Sequence, residues 1–250
     1  MILGGTRMQG YDAGMYGKVH ADVYDDWYHS LTDTDACVDG LADLAGGGTV
    51  LDLGAGTGRI AIPLAARGLR VTAVEISPEM IGKLKEKPGS DKLDVQLADM
   101  TDFDGGGEEY SLIFIAANSL MSVADLDAQV ATIVNAGRQL APGGRFVVEG
   151  LLVDPSMFDR VRSTIVETGE AGVIISKHDR IRQVVERQLV LFTTEGNQLY
   201  PTVTRYFTLA ELDLMGRLAG LEVEATWADW RRTPHSQPTG WYVRVFRRPE

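Results

Sequence analysis

Ten consecutive residues constrain this chain more than any others: Val50-Leu51-Asp52-Leu53-Gly54-Ala55-Gly56-Thr57-Gly58-Arg59. A short apolar run carrying an acid leads into three glycines at alternate positions, and a helix-like segment follows over residues 60–67. That order reads as strand, tight turn, helix, with the backbone bare at the turn. Glycine there allows otherwise strained dihedrals and lets a ligand lie against main chain. About twenty residues on, a second apolar run over 69–74 ends in Glu75. An acid at the tip of the next strand can accept both hydroxyls of a ribose. The pattern points to a cofactor of adenosine type.

Three cofactors compete for such a turn. A dinucleotide site uses G-x-G-x-x-G and aims a helix N-terminus at a pyrophosphate. Here the spacing is G-x-G-x-G, and Asp52 stands two residues before its first glycine. A buried carboxylate repels a pyrophosphate and suits an ammonium. A nucleoside triphosphate loop needs Gly-Lys-Ser/Thr, and Thr57-Gly58-Arg59 does not supply it. S-adenosylmethionine carries adenine, ribose and an amino acid moiety with no phosphate. Two further places favour it. Residues 93–97 read as a strand ending in Ala98-Asp99-Met100, where an acid can accept the adenine amine and an amide can donate to the ring. Residues 111–117 read as a continuous apolar strand, as expected when both faces are buried. It stops at Asn118-Ser119, where the reactive centre would lie.

Leu-Asp-Leu-Gly-Ala-Gly-Thr-Gly, then Glu75, then Ala98-Asp99-Met100, then Leu140-Ala141-Pro142-Gly143-Gly144-Arg145-Phe146 resembles the class I S-adenosylmethionine-dependent methyltransferases. The match covers residues 50–149 in the family's order. The resemblance implies an α/β fold: a Rossmann-like seven-stranded, mostly parallel sheet with an antiparallel last strand. It implies that Asp52, Gly54, Ala55, Gly56 and Gly58 cradle the methionine part, Glu75 the ribose, and Asp99 and Met100 the adenine. Ile76 and Met80 would wall the adenine and ribose, with Ala116 and Ala117 closing the cofactor set.

Composition narrows the partners. A net charge of −11 and a pI near 4.9 oppose binding to a nucleic acid backbone, which needs a basic face to release counterions. The Asn/Asp-Pro-Pro-aromatic signature of base-amino methyltransferases is absent after the fourth strand. The single cysteine, Cys37, allows no intrachain disulfide and no cysteine-rich metal site. No apolar run suggests a membrane span, and the N-terminal apolar stretch is short for a signal peptide. The expectation is a cytoplasmic enzyme, monomeric or homodimeric, acting on a small molecule without metal.

Three regions are expected. Residues 1–45 form a helical, aromatic arm covering the site, glycine-rich and loose before about residue 15. Residues 46–150 and 207–250 form the cofactor-binding core. Residues 151–206 form an antiparallel β cap, with strands over 174–177, 180–192 and 199–207 and a turn at Gly196-Asn197. Thr208 caps the next helix with Glu211 at the capping-box position. Residues 221–227 and 241–246 complete the sheet as a hairpin. The cap and the Tyr-Asp-x-x-Tyr arm (Tyr24, Asp25, Tyr28) resemble small-molecule methyltransferases of bacterial secondary metabolism, including aminosugar N-methyltransferases.

Methyl transfer from a sulfonium is an in-line displacement, so an enzyme chiefly aligns the nucleophile and excludes water. An alcohol or ammonium acceptor must also lose a proton. Candidate bases are Glu149 at the end of the fifth strand, His178 on the cap and His29 after the arm; His20 and His235 read as surface residues. Some aminosugar N-methyltransferases place a histidine in the loop after the fourth strand, and residues 118–122 contain none. Tyr24 and Tyr28 are expected to close over the cofactor, where an aromatic face can hold a cation. Tyr16, Trp27, Asn118, Met121, Arg205 and Tyr206 are candidate acceptor contacts. The expected activity is methylation of an O or N of a small-molecule acceptor, a natural product or sugar. The alternatives are a nicotinamide-dependent oxidoreductase and a non-catalytic S-adenosylmethionine-binding protein.

Overall fold

The structure, a computed structural model, describes residues 8, 10–28, 33–152, 164–236 and 240–250. Among these residues eleven strands make two sheets, accompanied by eight α-helices. The larger sheet contains β1 (Val50–Leu53), β2 (Val71–Glu75), β3 (Asp94–Leu97), β4 (Tyr110–Ile115), β5 (Leu140–Leu152), β10 (Glu222–Trp227) and β11 (Gly240–Arg247). Its order is β10-β11-β5-β4-β1-β2-β3. Pairing is parallel from β3 to β5, whereas β11 runs antiparallel to β5 and to β10. One antiparallel strand thus sits inside an otherwise parallel sheet, as expected.

The continuous apolar runs are explained by burial on both faces. Leu51, Leu53, Ile113, Ile115, Phe146 and Val148 face a core completed by α7 (Leu126–Gln139) and α8 (Leu209–Leu218). Their neighbours Val50, Leu112, Phe114 and Val147 face a second core with α3 (Thr34–Ala45) and α4 (Ala61–Ala66). Covering both faces is what lets parallel strands dispense with polar alternation. The helix α5 (Pro78–Glu86) follows β2, capped by Ser77, whose hydroxyl accepts from the Met80 amide at 3.2 Å.

The second sheet is antiparallel throughout: β6 (Thr164–Thr168), β7 (Gly172–Asp179), β8 (Val184–Thr193) and β9 (Gly196–Arg205), in that order. It differs from expectation in three respects. A strand at β6 was not anticipated, residues 180–183 turn rather than extend, and the β8–β9 turn is Thr194-Glu195. Gly196, expected in that turn, instead opens β9 with φ +121°.

A buried polar knot ties this sheet to the core. Arg205, 4% exposed, donates to the Gln129 Oε1 at 2.7 Å and the Gln183 Oε1 at 3.0 Å, and pairs with Glu211. Gln129, on α7, also donates to the carbonyls of Leu120 and Arg205. Thr208 caps α8 by accepting from the Glu211 amide at 3.2 Å. The Glu211 carboxylate does not return to complete a capping box; it turns to Arg205 and Gln183.

The arm contains α1 (Met15–His20) and α2 (Tyr24–Tyr28). A Cβ added at Gly17 would lie 2.2 Å from the Ser77 hydroxyl, so glycine brings α1 onto the start of α5. His20 stacks on Tyr16 with ring centroids 4.2 Å apart and meets Tyr200 of β9 at 5.4 Å; Trp27 meets Tyr200 at 4.7 Å. His20 is therefore buried between arm and cap, not a surface residue.

Candidate functional site

The C-terminal edge of β1, β2, β3 and β4 opens onto two joined cavities, where ligands bind in open α/β sheets. The larger, about 310 Å³, is lined by Glu75 and Ile76 after β2, Ala98 to Thr101 after β3, Ser119 and residues 122–125 after β4, and Tyr11 to Ala13 of the arm. Val203 of β9 and Ala128 of α7 complete it. The smaller, about 20 Å³, is lined by Tyr24, Asp52, Ala55, Arg59, Ile60, Ala116 and Ala117. Gly54 and Ser119 line both, so the two meet at the end of β1.

The glycine turn has three distinct jobs. Gly54 has φ +87°, and a Cβ there would lie 2.9 Å from the Met100 Cε. Gly56 has φ +56°, with nothing within 4 Å of where a Cβ would stand, so its backbone faces open space. Gly58, at φ +79°, is directed at Leu84 of α5, 2.8 Å away, and lines neither cavity. It packs the turn against the neighbouring helix.

The acids around this turn are buried and unequally satisfied. Asp52 is 3% exposed, and its carboxylate accepts no hydrogen bond among the described residues. Burial, with Glu75 adding, pushes its pKa well above the usual carboxylate value against the opposing charge of Arg59. A buried carboxylate that lines a cavity is the kind of group a cationic ligand would pair with. Arg59 donates to the Thr34 hydroxyl at 2.7 Å and lines the small cavity together with Asp52. Burial raises Tyr24 to about 12, so its phenol stays protonated and able to donate. Glu75 accepts from the Gly56 amide at 2.8 Å and the Ser77 amide at 2.9 Å, one bond to each oxygen. Burial raises its pKa, opposed by these bonds. Each oxygen keeps a lone pair for a hydroxyl. Asp99 accepts from the Thr101 amide at 2.9 Å through Oδ1. The charged side chains lining the larger cavity are four carboxylates: Asp12, Glu75, Asp99 and Asp125.

The structure gathers Tyr24, Asp52, Gly54, Ala55, Glu75, Ile76, Asp99, Met100, Ala116 and Ala117 around the cavities. Gly56 reaches them through Glu75. Other candidates lie elsewhere. Met80 is 2% exposed and packs beneath Gly17 of the arm. Tyr28 packs on Tyr24 with centroids 4.9 Å apart, and Tyr16 meets Tyr24 edge-on. Trp27 lies on Tyr200, Met121 is in the core, and the Asn118 Oδ1 accepts from the Leu151 amide at 2.6 Å. Arg205 belongs to the polar knot, and the Tyr206 hydroxyl meets the His178 Nε2 at 2.9 Å, away from the cavity lining. Glu149 is buried and hydrogen-bonded on both oxygens. His29 lies outside the described residues.

Sequence reasoning missed Tyr11, Asp12 and Ala13, at the end of a glycine-rich stretch; Asp12 accepts from the Gly14 and Met15 amides. It placed the reactive centre at Asn118-Ser119 without assigning Ser119 a contact, and it gave no site role to Asp125 or Arg59. The signal for Arg59 was its place directly after the last glycine.

Comparison with known proteins agrees with this geometry. A methyltransferase-domain family model matches residues 50–144. The CcbJ methyltransferase of Streptomyces caelestis is 33% identical in a structural match covering 96% of this chain and 100% of that one, with a TM-score of 0.86. The cypemycin N-terminal methyltransferase of a Streptomyces species is 29% identical over 199 residues, 76% of this chain and 79% of the relative. The sugar N-methyltransferase KedS8 of a Streptoalloteichus species shares the fold, at 24% identity and a TM-score of 0.66, over 100% of this chain and 99% of that one. Among the described residues no helix is long and apolar enough to cross a membrane. With its glycine turn, acid-tipped strands and full-length likeness to a relative of 33% identity, the chain belongs to the S-adenosylmethionine-dependent methyltransferases.

Proposed function

We propose that this enzyme methylates an amine nitrogen of a small natural-product or sugar acceptor. The observation that carries this is the pair of carboxylates, Asp12 and Asp125, that line the larger cavity beyond the cofactor's Glu75 and Asp99, with no lysine, arginine or histidine among the described lining residues. Such a pocket attracts a cationic acceptor and disfavours an anionic one. The cypemycin relative, named for modifying an N-terminus, supports an amine acceptor.

In this reading Asp52 holds the ammonium of the cofactor's amino acid moiety, and Arg59 with Tyr24 holds its carboxylate. Glu75 accepts the ribose hydroxyls, Asp99 accepts the adenine amine, and Ile76 and Met100 wall the rings. When bound, S-adenosylmethionine supplies an activated methyl group and leaves as a neutral thioether. Asp12 and Asp125, from arm and core, attract and orient the acceptor ammonium, which releases one proton to solvent water so that the free amine's lone pair attacks the methyl group. The arm (1–45) and cap (151–206) exclude water above the core (46–150 and 207–250), which strengthens these contacts. Glu149, His178 and His29 carry no proton-transfer role in this proposal.

The test is transfer of labelled methyl from S-adenosylmethionine to a panel of amino sugars and short peptides with free N-termini. Each is paired with its hydroxyl or N-acetylated counterpart. Label on the free amines alone is expected; label on hydroxyl acceptors alone overturns the proposal.

A further inference from the structure

Among the described residues, the turn after β4 is the place where two successive non-glycine residues take left-handed backbone: Ala117 at φ +52° and Asn118 at φ +64°. Alanine avoids this region because its Cβ crowds the following carbonyl. Such strain persists only where the surroundings over-determine it, and it gathers at functional sites. The turn sits at the site: Ala116 and Ala117 line the small cavity, and Ser119 lines both cavities.

What holds it is β5. The Ala117 amide donates to the Glu149 Oε2 at 3.0 Å, and the Asn118 amide to the Glu149 carbonyl at 3.3 Å. The Leu151 amide donates to the Asn118 Oδ1 at 2.6 Å. Glu149 is in turn fixed from outside the sheet, where the Trp230 indole donates to its Oε1 at 2.7 Å. Glu149 is 3% exposed and lines neither cavity, so it reaches the reacting groups only through the turn.

We propose that Glu149 is a positioning residue: its carboxylate clamps the Ala117-Asn118 turn in its left-handed shape, with Trp230 fixing the carboxylate, so that the turn presents a preformed wall to the cofactor. A carboxylate suits the task because it accepts from both donors. A glutamine amide offers one oxygen and must turn its NH₂ toward either the Ala117 amide or the Trp230 indole, placing donor against donor. The inference rests on the methyltransferase assignment, and the wild-type enzyme tests that separately by binding S-adenosylmethionine.

The experiment measures calorimetric dissociation constants for S-adenosylmethionine and S-adenosylhomocysteine, with turnover and melting curves, for the wild type, Glu149→Gln, Ala117→Gly, Trp230→Phe and the Glu149→Gln/Ala117→Gly pair. Glycine takes up positive φ without penalty. Ala117→Gly therefore removes the need for a clamp while leaving Glu149 itself untouched. Glu149→Gln is expected to weaken both ligands about tenfold, or about 1.4 kcal/mol. The double variant should recover at least threefold of that loss. Trp230→Phe should weaken both by a smaller factor in the same direction. Turnover at saturating cofactor should fall less than fivefold. If Glu149→Gln fails to fold, the Trp230→Phe and Ala117→Gly/Trp230→Phe variants carry the same comparison. Unchanged dissociation constants with a turnover loss of a hundredfold or more would make Glu149 a proton-transfer group and overturn the proposal. Equal losses with and without Ala117→Gly would overturn it too.

Discussion

The two sheets of this enzyme solve opposite problems. The seven-stranded sheet is covered on both faces, and its strands end in turns that leave backbone and carboxylates facing a cavity. The four-stranded sheet keeps much of one face in water, with Val166, Phe192 and Leu199 each more than half exposed. It touches the rest of the molecule through a few anchors: the Arg205 knot, Val185 in the core, and Tyr200 against the arm. The first sheet spends stability on function, since Asp52 is buried without a hydrogen bond among the described residues. The second contributes Val203 to the cavity wall and takes its orientation from polar contacts.

The largest expected effect lies in the anchor of the cap. Arg205→Met leaves Gln129 Oε1, Gln183 and Glu211 without their shared partner. Breaking a buried charge pair from one side costs about 3–5 kcal/mol. A scanning calorimetry melt should drop by roughly 2–4 °C for each kcal/mol lost. Cofactor affinity measured well below the melt should stay within about threefold. A tenfold weaker cofactor would show that cap and cofactor edge are one energetic unit, and the contrast would fail.

Asp52→Asn should move stability and binding in opposite directions. Removing a buried ionisable group, which must hold a proton or a charge out of water, stabilises the unliganded protein, while cofactor affinity falls by about 1.5–3 kcal/mol, the worth of a charged hydrogen bond. The sign with pH follows from the raised native pKa of Asp52. The native state holds a proton that the unfolded chain has released above about pH 4. Unliganded stability therefore falls as pH rises from there through the native value. Chemical denaturation across pH should show a slope flattened in Asp52→Asn. A variant that binds as tightly as wild type would remove Asp52 from the cofactor site.

Gly58→Ala sharpens the division of labour within the glycine turn. It combines a left-handed backbone with a Cβ 2.8 Å from Leu84. The backbone term alone is about 1–2 kcal/mol. The loss should show in denaturant midpoints, with a proportionally smaller effect on cofactor affinity. A variant of normal stability that no longer bound cofactor would reassign Gly58 to the cradle.

The smallest effect is expected on the cap's outer face. Phe192→Ser, at a side chain 53% exposed, should change unfolding free energy by no more than about 0.5 kcal/mol. A loss of several kcal/mol would mean that this face is covered in solution.

The same contrast explains what the sequence could tell. The large sheet was legible because burial on both faces writes uninterrupted apolar runs, and because Gly54, Glu75 and Asp99 mark strand ends by chemistry. In the cap, weaker alternation hid β6 altogether and shifted the β8–β9 turn by two residues. Burial by partners far along the chain was not legible. Arg205 read as a candidate acceptor contact, yet Gln129 and Glu211 engage it in the interior. Glu149 sat at the right strand end for a base, but the partner that occupies its outer oxygen, Trp230, is 81 residues away. The family resemblance made Met80 a cofactor wall, and Gly17 of the arm covers it. The arm's Asp12 escaped because nothing local to residues 11–13 marks them as cavity lining.

The most direct measurement is calorimetric titration of the wild type and Asp52→Asn with S-adenosylmethionine and, in parallel, with NADH. The account predicts micromolar binding of S-adenosylmethionine to the wild type, at least about tenfold weaker binding to Asp52→Asn, and no heat with NADH. Tight NADH binding, or S-adenosylmethionine binding indifferent to Asp52, would contradict it.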